Sequence, residues 1–321
     1  MDDDFQLFTS LRFDWGLRTI RDIHPRDLGW NTESPSPLYM LTYHRDRMLK
    51  AATHWNWAKA IQAIQGDEGL GRLNQFVHST LKERLGERWG PDCEPMRLKV
   101  LLSRDGELAL ECSSVPATAL SNLFPDQLPA PDGSVNPQGP PGEQRLGSLS
   151  LTPTYDVYID TDFTPASEFT HFKTTKREMY DLACQRVGLK PSDATTEVLI
   201  VNQKSGVIME GSRTTPYFWR AGAWVTPRVA CSFDAQGGAG GQDGTTRRWA
   251  LESNLAIEKD TKAAEIVDGE PVWLSNGRKL IRILCWSEAV GTSVSVRSKS
   301  ALSSAFQYAF PELATFEDNI R

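Results

Sequence analysis

The sequence lacks any apolar run long enough to span a membrane. Its opening, Met1-Asp2-Asp3-Asp4, lacks the basic-then-apolar pattern of a secretory signal, so cytoplasmic residence is the expectation. Cysteine is sparse: Cys93, Cys112, Cys184, Cys231 and Cys285 form an odd, scattered set without a Cys-x-x-Cys spacing. That distribution argues against a disulfide framework or a zinc knuckle and for reduced, structural thiols. The five histidines are equally dispersed and make no His-x-x-x-His pair, so no metal site is expected. Positive charge is not in surplus. A formal net charge of −6 argues against nucleic acid or an anionic membrane as the main partner, although a small anionic substrate needs only a local cationic pocket.

What remains is an ordinary globular composition, 40% apolar and 24% charged over 321 residues, enough chain for two lobes with separate cores. The fold class expected is α+β, with a smaller α+β lobe over residues 1–160 and a larger, strand-rich lobe over residues 161–321. Residues 5–13 alternate as a first strand, residues 16–36 read as a connecting loop, and residues 37–43 suit either a second strand or the lead-in to a helix. From His44 through Gln65 the spacing is helical, with Arg47, Ala51 and Trp55 on one face, and Leu73, Val77, Leu81 and Leu85 mark a second helix. Residues 97–102 and 108–112 flank Asp105-Gly106, a strong hairpin signal. Residues 124–146, rich in proline and glycine, read as a mobile surface insertion. Beyond it come three strand pairs: 197–202 with 207–210, 216–219 with 223–226, and 270–277 with 281–284.

Three stretches carry chemistry. Residues 171–181 read His-Phe-Lys-Thr-Thr-Lys-Arg-Glu-Met-Tyr-Asp, with strand-like Phe163, Thr164, Phe169 and Thr170 before Lys173 and helically spaced Met179, Leu182, Ala183 and Val187 after it. A lysine held at such a junction and partly desolvated has a lowered pKa, which frees its nitrogen to attack a carbonyl. In Val207-Ile208-Met209-Glu210-Gly211-Ser212 a carboxylate stands in an apolar strand. If buried it needs a cation or a donor; a Glu on the exposed face of a half-buried strand gives the same pattern. Glycine-rich residues 237–248 open a helix capped by Thr245 or Thr246, where free N–H groups and the positive dipole end suit a phosphate. The glycines match neither nucleotide-binding spacing, and a flexible surface loop has the same composition. A lysine nucleophile, a carboxylate and a phosphate-seeking helix start together suit a cofactor with an aldehyde, a basic ring nitrogen and a phosphate.

The runs Phe172-Lys173-Thr174-Thr175-Lys176-Arg177-Glu178-Met179-Tyr180, Met209-Glu210-Gly211-Ser212, Val225-Thr226-Pro227-Arg228 and Gly244-Thr245-Thr246-Arg247 follow in that order. Together they resemble the class IV, or fold type IV, pyridoxal-phosphate enzymes, and within them the fungal aminodeoxychorismate lyases. The resemblance implies a homodimeric enzyme of two lobes with pyridoxal 5'-phosphate at their junction. It implies that Lys173 forms an imine with the cofactor, Glu210 pairs with the pyridine nitrogen, and Gly244, Thr245 and Thr246 hold the phosphate. His44-Arg45-Asp46-Arg47-Met48 is similar to the family's His-x-x-Arg-Leu motif, with Met48 in the leucine position, which assigns a phosphate contact to Arg47. Ser275 and Asn276 are further phosphate candidates.

The implied reaction converts 4-amino-4-deoxychorismate to 4-aminobenzoate and pyruvate in folate synthesis. The substrate amine carries carboxylates that need cations, and Arg12, Arg97 and Arg213 are candidates. A D-amino-acid or (R)-amine transaminase of the same fold would use the same motifs. A non-catalytic cofactor-binding protein is the alternative of another class, and the presence of both Lys173 and Glu210 counts against it. Three features depart from the family pattern: Thr215 stands where many members have Asn, the glycine run before Gly244 is longer than usual, and Arg278 and Lys279 follow Ser275-Asn276-Gly277.

Overall fold

In the first strand, β1 (Leu7–Phe13), every residue except Ser10 is buried, so the strand must be covered on both faces. The computed structural model describes residues 5–19, 35–131, 156–190, 193, 195–234, 238–277 and 279–285, all within one compact unit, Met1–Glu288. Three helices follow β1: α1 (Leu41–His54), α2 (Ala58–Ile64) and α3 (Gly66–Leu85). Then β2 (Met96–Leu102) pairs antiparallel with β1, Leu7 opposite Leu102 through Phe13 opposite Met96, and β3 (Leu108–Ser114) completes a three-stranded sheet. The hairpin between β2 and β3 turns at Gly106, whose φ of 84° suits glycine. Leu73, Val77 and Leu81 of α3 and Met48 and Ala52 of α1 pack onto Leu7, Leu11, Leu98 and Val100 in one core.

Two expectations change here. The helical period runs unbroken from His44 to Gln65, yet α1 stops at His54 and α2 starts at Ala58. Asn56 takes a left-handed conformation, φ 53°, which asparagine tolerates, and the turn buries Trp57 against Phe5, ring centroids 5.1 Å apart. Residues 37–43 are the lead-in to α1: Leu38 makes one isolated bridge to Phe13 and no strand.

After α4 (Leu120–Leu123), the larger sheet begins with β4 (Asp156–Thr164). Next come α5 (Glu168–His171), α6 (Glu178–Arg186), β5 (Thr196–Asn202), β6 (Ile208–Gly211), β7 (Thr215–Arg220), β8 (Ala223–Thr226), α7 (Thr245–Glu252), β9 (Ile257–Glu258), β10 (Pro271–Asn276) and β11 (Lys279–Cys285). Eight strands run in the order β6-β5-β4-β11-β10-β7-β8-β9. The three expected hairpins form, β5 with β6, β7 with β8, and β10 with β11, while β4 lies parallel to both β5 and β11. Tyr180 and Ala183 of α6 are buried against Val198, Ile200 and Met209.

Phe169 and Thr170, strand-like by composition, lie in the short helix α5, whose start is closed by reciprocal Ser167 and Thr170 bonds. The described start of the stretch read as a surface insertion, residues 124–131, is not a mere surface loop. Phe124 and Leu128 are core residues beside Tyr39, Trp224, Trp249 and Trp273, and Trp224 Nε1 donates to the Leu128 carbonyl at 3.1 Å. Residues 132–146 of the insertion and residues 20–34 of the N-terminal loop lie outside the described residues.

Leu11 is fully buried between the small sheet and its helices. Leu11→Ala is expected to lower the unfolding free energy by about 2–5 kcal/mol, read as a fall in the urea midpoint at unchanged slope. A loss of less than ~1 kcal/mol would mean that this sheet face is not packed as described.

Candidate active site

The free edge of β1 holds Lys173. Phe8 N donates to the Lys173 carbonyl at 3.1 Å and Thr175 N donates to the Gln6 carbonyl at 2.9 Å, with Leu7 and Thr174 bridged between them. Lys173 therefore lies in an extended link between α5 and α6, clamped to a distant strand, and no strand of its own gives way to a helix there. Its Nζ is 5.0 Å from the Phe8 ring centroid and 3.5 Å from Gln242 Oε1. Burial, then the charges of Arg47, Arg177 and Arg97, push the Lys173 ammonium well below its usual range, and Glu210 opposes them.

Glu210 lies on β6 opposite Ile200. At 7% exposure it is a buried carboxylate, so the exposed-face reading does not apply. Burial raises its pKa to about 7, opposed by Tyr180, Lys173 and Arg177. Tyr180 donates its hydroxyl to Glu210 Oε1 at 2.5 Å, and Gln242 Nε2 donates to the Tyr180 oxygen at 3.0 Å. The Arg177 guanidinium stands 4.4 Å from the centroid of the Tyr180 ring and donates to the Ser212 carbonyl at 2.6 Å.

The glycine run is a packed strap. Ala239, Gly240, Gly241 and Gln242 are buried, and the carbonyls of Ala239 and Gly240 accept from Asn202 Nδ2 at 2.9 Å and Thr170 Oγ1 at 2.7 Å. A Cβ at Gly241 would lie 2.5 Å from the Met209 carbonyl, so the close approach to β6 requires glycine. Gly237 lies outside the described residues. The strap ends at α7, whose N-cap is Gly244; Thr245 and Thr246 are the first two helical residues and do not cap it. Thr215 packs against this start, where a Cβ on Gly244 would sit 2.8 Å from its Oγ1. Thr246 Oγ1 donates to the Asn276 carbonyl at 2.7 Å, and Ser275 Oγ shares a hydrogen bond of 2.9 Å with the Tyr217 hydroxyl.

From α1, Arg47 Nη2 donates to Thr9 Oγ1 at 2.6 Å, and the Thr9 hydroxyl shares a hydrogen bond of 2.6 Å with His44 Nδ1. Burial keeps His44 neutral, and His44 Nε2 lies 3.4 Å from Thr245 Oγ1. Burial lowers the Arg47 pKa to about 10, which leaves it charged at neutral pH. Gly277 closes this side: a Cβ there would lie 2.3 Å from the Ser10 carbonyl and 2.7 Å from His44 Cε1.

Of the three arginines suggested for substrate, one joins the cluster. Arg12 is tied to Asp14 at 2.8 Å and to the Pro116 carbonyl at 3.1 Å. Arg213 is exposed and donates to the Thr196 and Asp193 carbonyls. Arg97 reaches Ser10 Oγ at 3.5 Å, and its Nε is buried without a partner, as is Arg47 Nε. Tyr180, Gln242, Arg177 and His44 were not singled out from sequence. Tyr180 had a usable signal, because a tyrosine on the apolar face of a helix carries a hydroxyl that must be satisfied when buried.

Lys173, Arg47 and Arg177 thus face Glu210, with Arg97 beside Lys173; Arg47 also faces Asp243, which is already engaged by Lys50 at 3.4 Å and Arg247 at 3.1 Å. The buried Nε atoms of Arg47 and Arg97, both without partners, suit an anion here. The family profile of amino-transferase class IV matches residues 30–284. The chain belongs to that family. Class IV aminotransferases depend on pyridoxal 5'-phosphate, and the residues fit it: a buried amine for an aldehyde, a buried carboxylate for a ring nitrogen, and an unsatisfied guanidinium near a helix start for a phosphate.

Aminodeoxychorismate lyase of Saccharomyces cerevisiae is 28% identical over 218 residues, 64% of this class IV chain, which spans only 54% of the yeast enzyme's length. A fold IV-transaminase from Curtobacterium pusillum superposes with a TM-score of 0.53 at 13% identity, covering 94% of this chain and 84% of that one. A hypothetical aminotransferase from Mycobacterium tuberculosis in its pyridoxal-phosphate-bound form gives 0.50 at 13% identity, over 94% and 86%. At such identities the two structures share the fold.

His171, two residues before Lys173, is held at a pKa of about 4, chiefly by burial. In the unfolded chain it takes up a proton near its ordinary value of 6.5. Between these values the unfolded state binds more protons, so this group's contribution to stability is complete above pH 6.5 and is lost as pH falls towards 4. His171→Gln is expected to flatten the fall of the urea midpoint across that window; an unaltered slope would show that His171 is not buried neutral.

Proposed function

We propose that the protein is a pyridoxal-phosphate-dependent lyase that converts 4-amino-4-deoxychorismate to 4-aminobenzoate and pyruvate. The observation that carries this reading is the crowding of Lys173 by Arg47, Arg97 and Arg177, with buried Glu210 as the facing carboxylate. Likeness to the yeast lyase favours elimination over amine transfer.

When bound, the cofactor supplies an aldehyde that condenses with amines and a ring that takes up electron density from the amine-bearing carbon. Lys173 contributes a nitrogen whose ammonium is disfavoured by burial and neighbouring cations. Its neutral Nζ is available as nucleophile, then as base for the proton on the substrate's amine-bearing carbon, and last as donor to the departing enolpyruvyl group. Glu210 would hold the proton of the ring nitrogen. The main-chain N–H groups of Thr245 and Thr246, with Arg47, would hold the phosphate, while the Gly244 N–H is given to the Gln242 carbonyl at 3.1 Å. The Ser275 hydroxyl is taken by Tyr217 and the Asn276 carbonyl by Thr246, so those two atoms shape the rim and leave phosphate to the helix start. Arg97, with an unsatisfied Nε, is the cation that suits a substrate carboxylate; Arg12 and Arg213 are engaged elsewhere.

Purified protein incubated with aminodeoxychorismate is expected to release 4-aminobenzoate and pyruvate, and Lys173→Ala to lower turnover at least about 100-fold. Amine transfer to pyruvate or 2-oxoglutarate without 4-aminobenzoate would replace the lyase by a transaminase. Arg97→Gln is expected to raise KM roughly tenfold or more with little change in kcat. An unaltered KM would remove Arg97 from the substrate site.

A further inference from the structure

Tyr180 and Gln242, which none of these roles uses, lie between Lys173 and Glu210. Both are buried, at 1% and 6% exposure. Gln242 Oε1 is 3.5 Å from Lys173 Nζ, and Gln242 Nε2 donates to the Tyr180 oxygen at 3.0 Å. Tyr180 in turn donates to Glu210 Oε1 at 2.5 Å. The chemistry of each group sets the direction. An amide has one accepting end and one donating end, so with its oxygen turned to a donating lysine its nitrogen must face the phenol. The phenol oxygen, accepting from the amide, has one proton left to give. Two acceptors are within reach of it, Glu210 at 2.5 Å and the Thr170 carbonyl at 3.3 Å, and the carboxylate is the nearer.

We propose that Gln242 and Tyr180 are positioning residues forming a directional hydrogen-bond relay from Lys173 to Glu210, which keeps the carboxylate aimed and ionised. The charged and titratable groups facing Glu210 are Lys173 from the link clamped to β1, Arg177 and Tyr180 at the start of α6, and Arg47 from α1; the Gln242 main-chain N–H from the strap also faces it. Lys173 and Arg177 act on Glu210 through charge, whereas Tyr180 bonds it directly. Burial alone would leave the carboxyl holding its own proton. The inference rests on the cofactor reading for its consequence only: an ionised Glu210 is the form that can pair with a protonated ring nitrogen.

The test follows the Glu210 carboxyl in full-length, cofactor-free protein carrying 13C-glutamate, titrated by NMR, with Glu210→Gln assigning the signal. Tyr180→Phe is expected to raise the titration midpoint by about one unit, a tenfold gain in proton affinity. Gln242→Ala is expected to raise it too, since the phenol can then turn its proton to Thr170, but to do nothing further in a Tyr180→Phe background. An unmoved midpoint in Tyr180→Phe overturns the proposal. So does a Gln242→Ala shift that is absent with Tyr180 present, or equal in both backgrounds. Affinity for pyridoxal phosphate is measured on the same samples. Failure of the unaltered protein to bind it would sink the cofactor reading while the titration still decides the relay.

Discussion

An edge strand offers a row of main-chain donors and acceptors that must be satisfied when buried, and β1 meets that demand in a way that builds the site. One edge is taken by β2 along its whole length. The other is taken piecemeal: Lys173 and Thr175 bond at its start, and near its end Tyr39 N donates to the Arg12 carbonyl at 2.9 Å and Asp14 N to the Pro37 carbonyl at 2.8 Å. The same strand offers Thr9 to Arg47 and His44, and its Ser10 carbonyl leaves no room for a side chain at position 277. Residues far apart in sequence converge because each is referenced to one strand.

Crowding cations there has a selective effect. Burial and like charge disfavour the charged forms of Lys173 and Arg47 alike, but a guanidinium cannot shed its proton near neutrality. Arg47 is lowered to about 10 and remains charged. Lysine is the group able to yield, so the cost of the cluster falls on the charge of Lys173. Within the same cluster the Nε atoms of Arg47 and Arg97 are buried without a hydrogen-bond partner.

Legibility in the sequence followed the range of the interaction. Hairpins were readable because Asp105-Gly106 and the other turns are local signals, and Glu210 stood out as a lone carboxylate in an apolar strand. The break at Asn56 was hidden because the apolar period runs through it and the reason for the turn, Trp57 meeting Phe5, is tertiary. Phe124 and Leu128 were masked by surrounding prolines for the same reason. Choosing among arginines was also beyond local pattern. Arg12 and Arg97 are directly opposed across β1 and β2, an unfavourable pairing of like charges, and Asp14 neutralises Arg12 while Arg97 stays unpaired at Nε. Nothing in either residue's neighbourhood in sequence records that difference.

The glycine strap shows how composition can mislead about rigidity. Its glycines suit a flexible loop, yet Gly240 is fixed at φ 90° and Gly241 lies flat on the Met209 carbonyl. Glycine is there because a main chain must pass closer to β6 than any side chain allows. Gln242 is the next residue after that approach, which delivers its amide between Lys173 and Tyr180. The approach that excludes a side chain at Gly241, where a Cβ would lie 3.3 Å from Glu210 Cβ, thus sets the amide of the following residue beside Glu210.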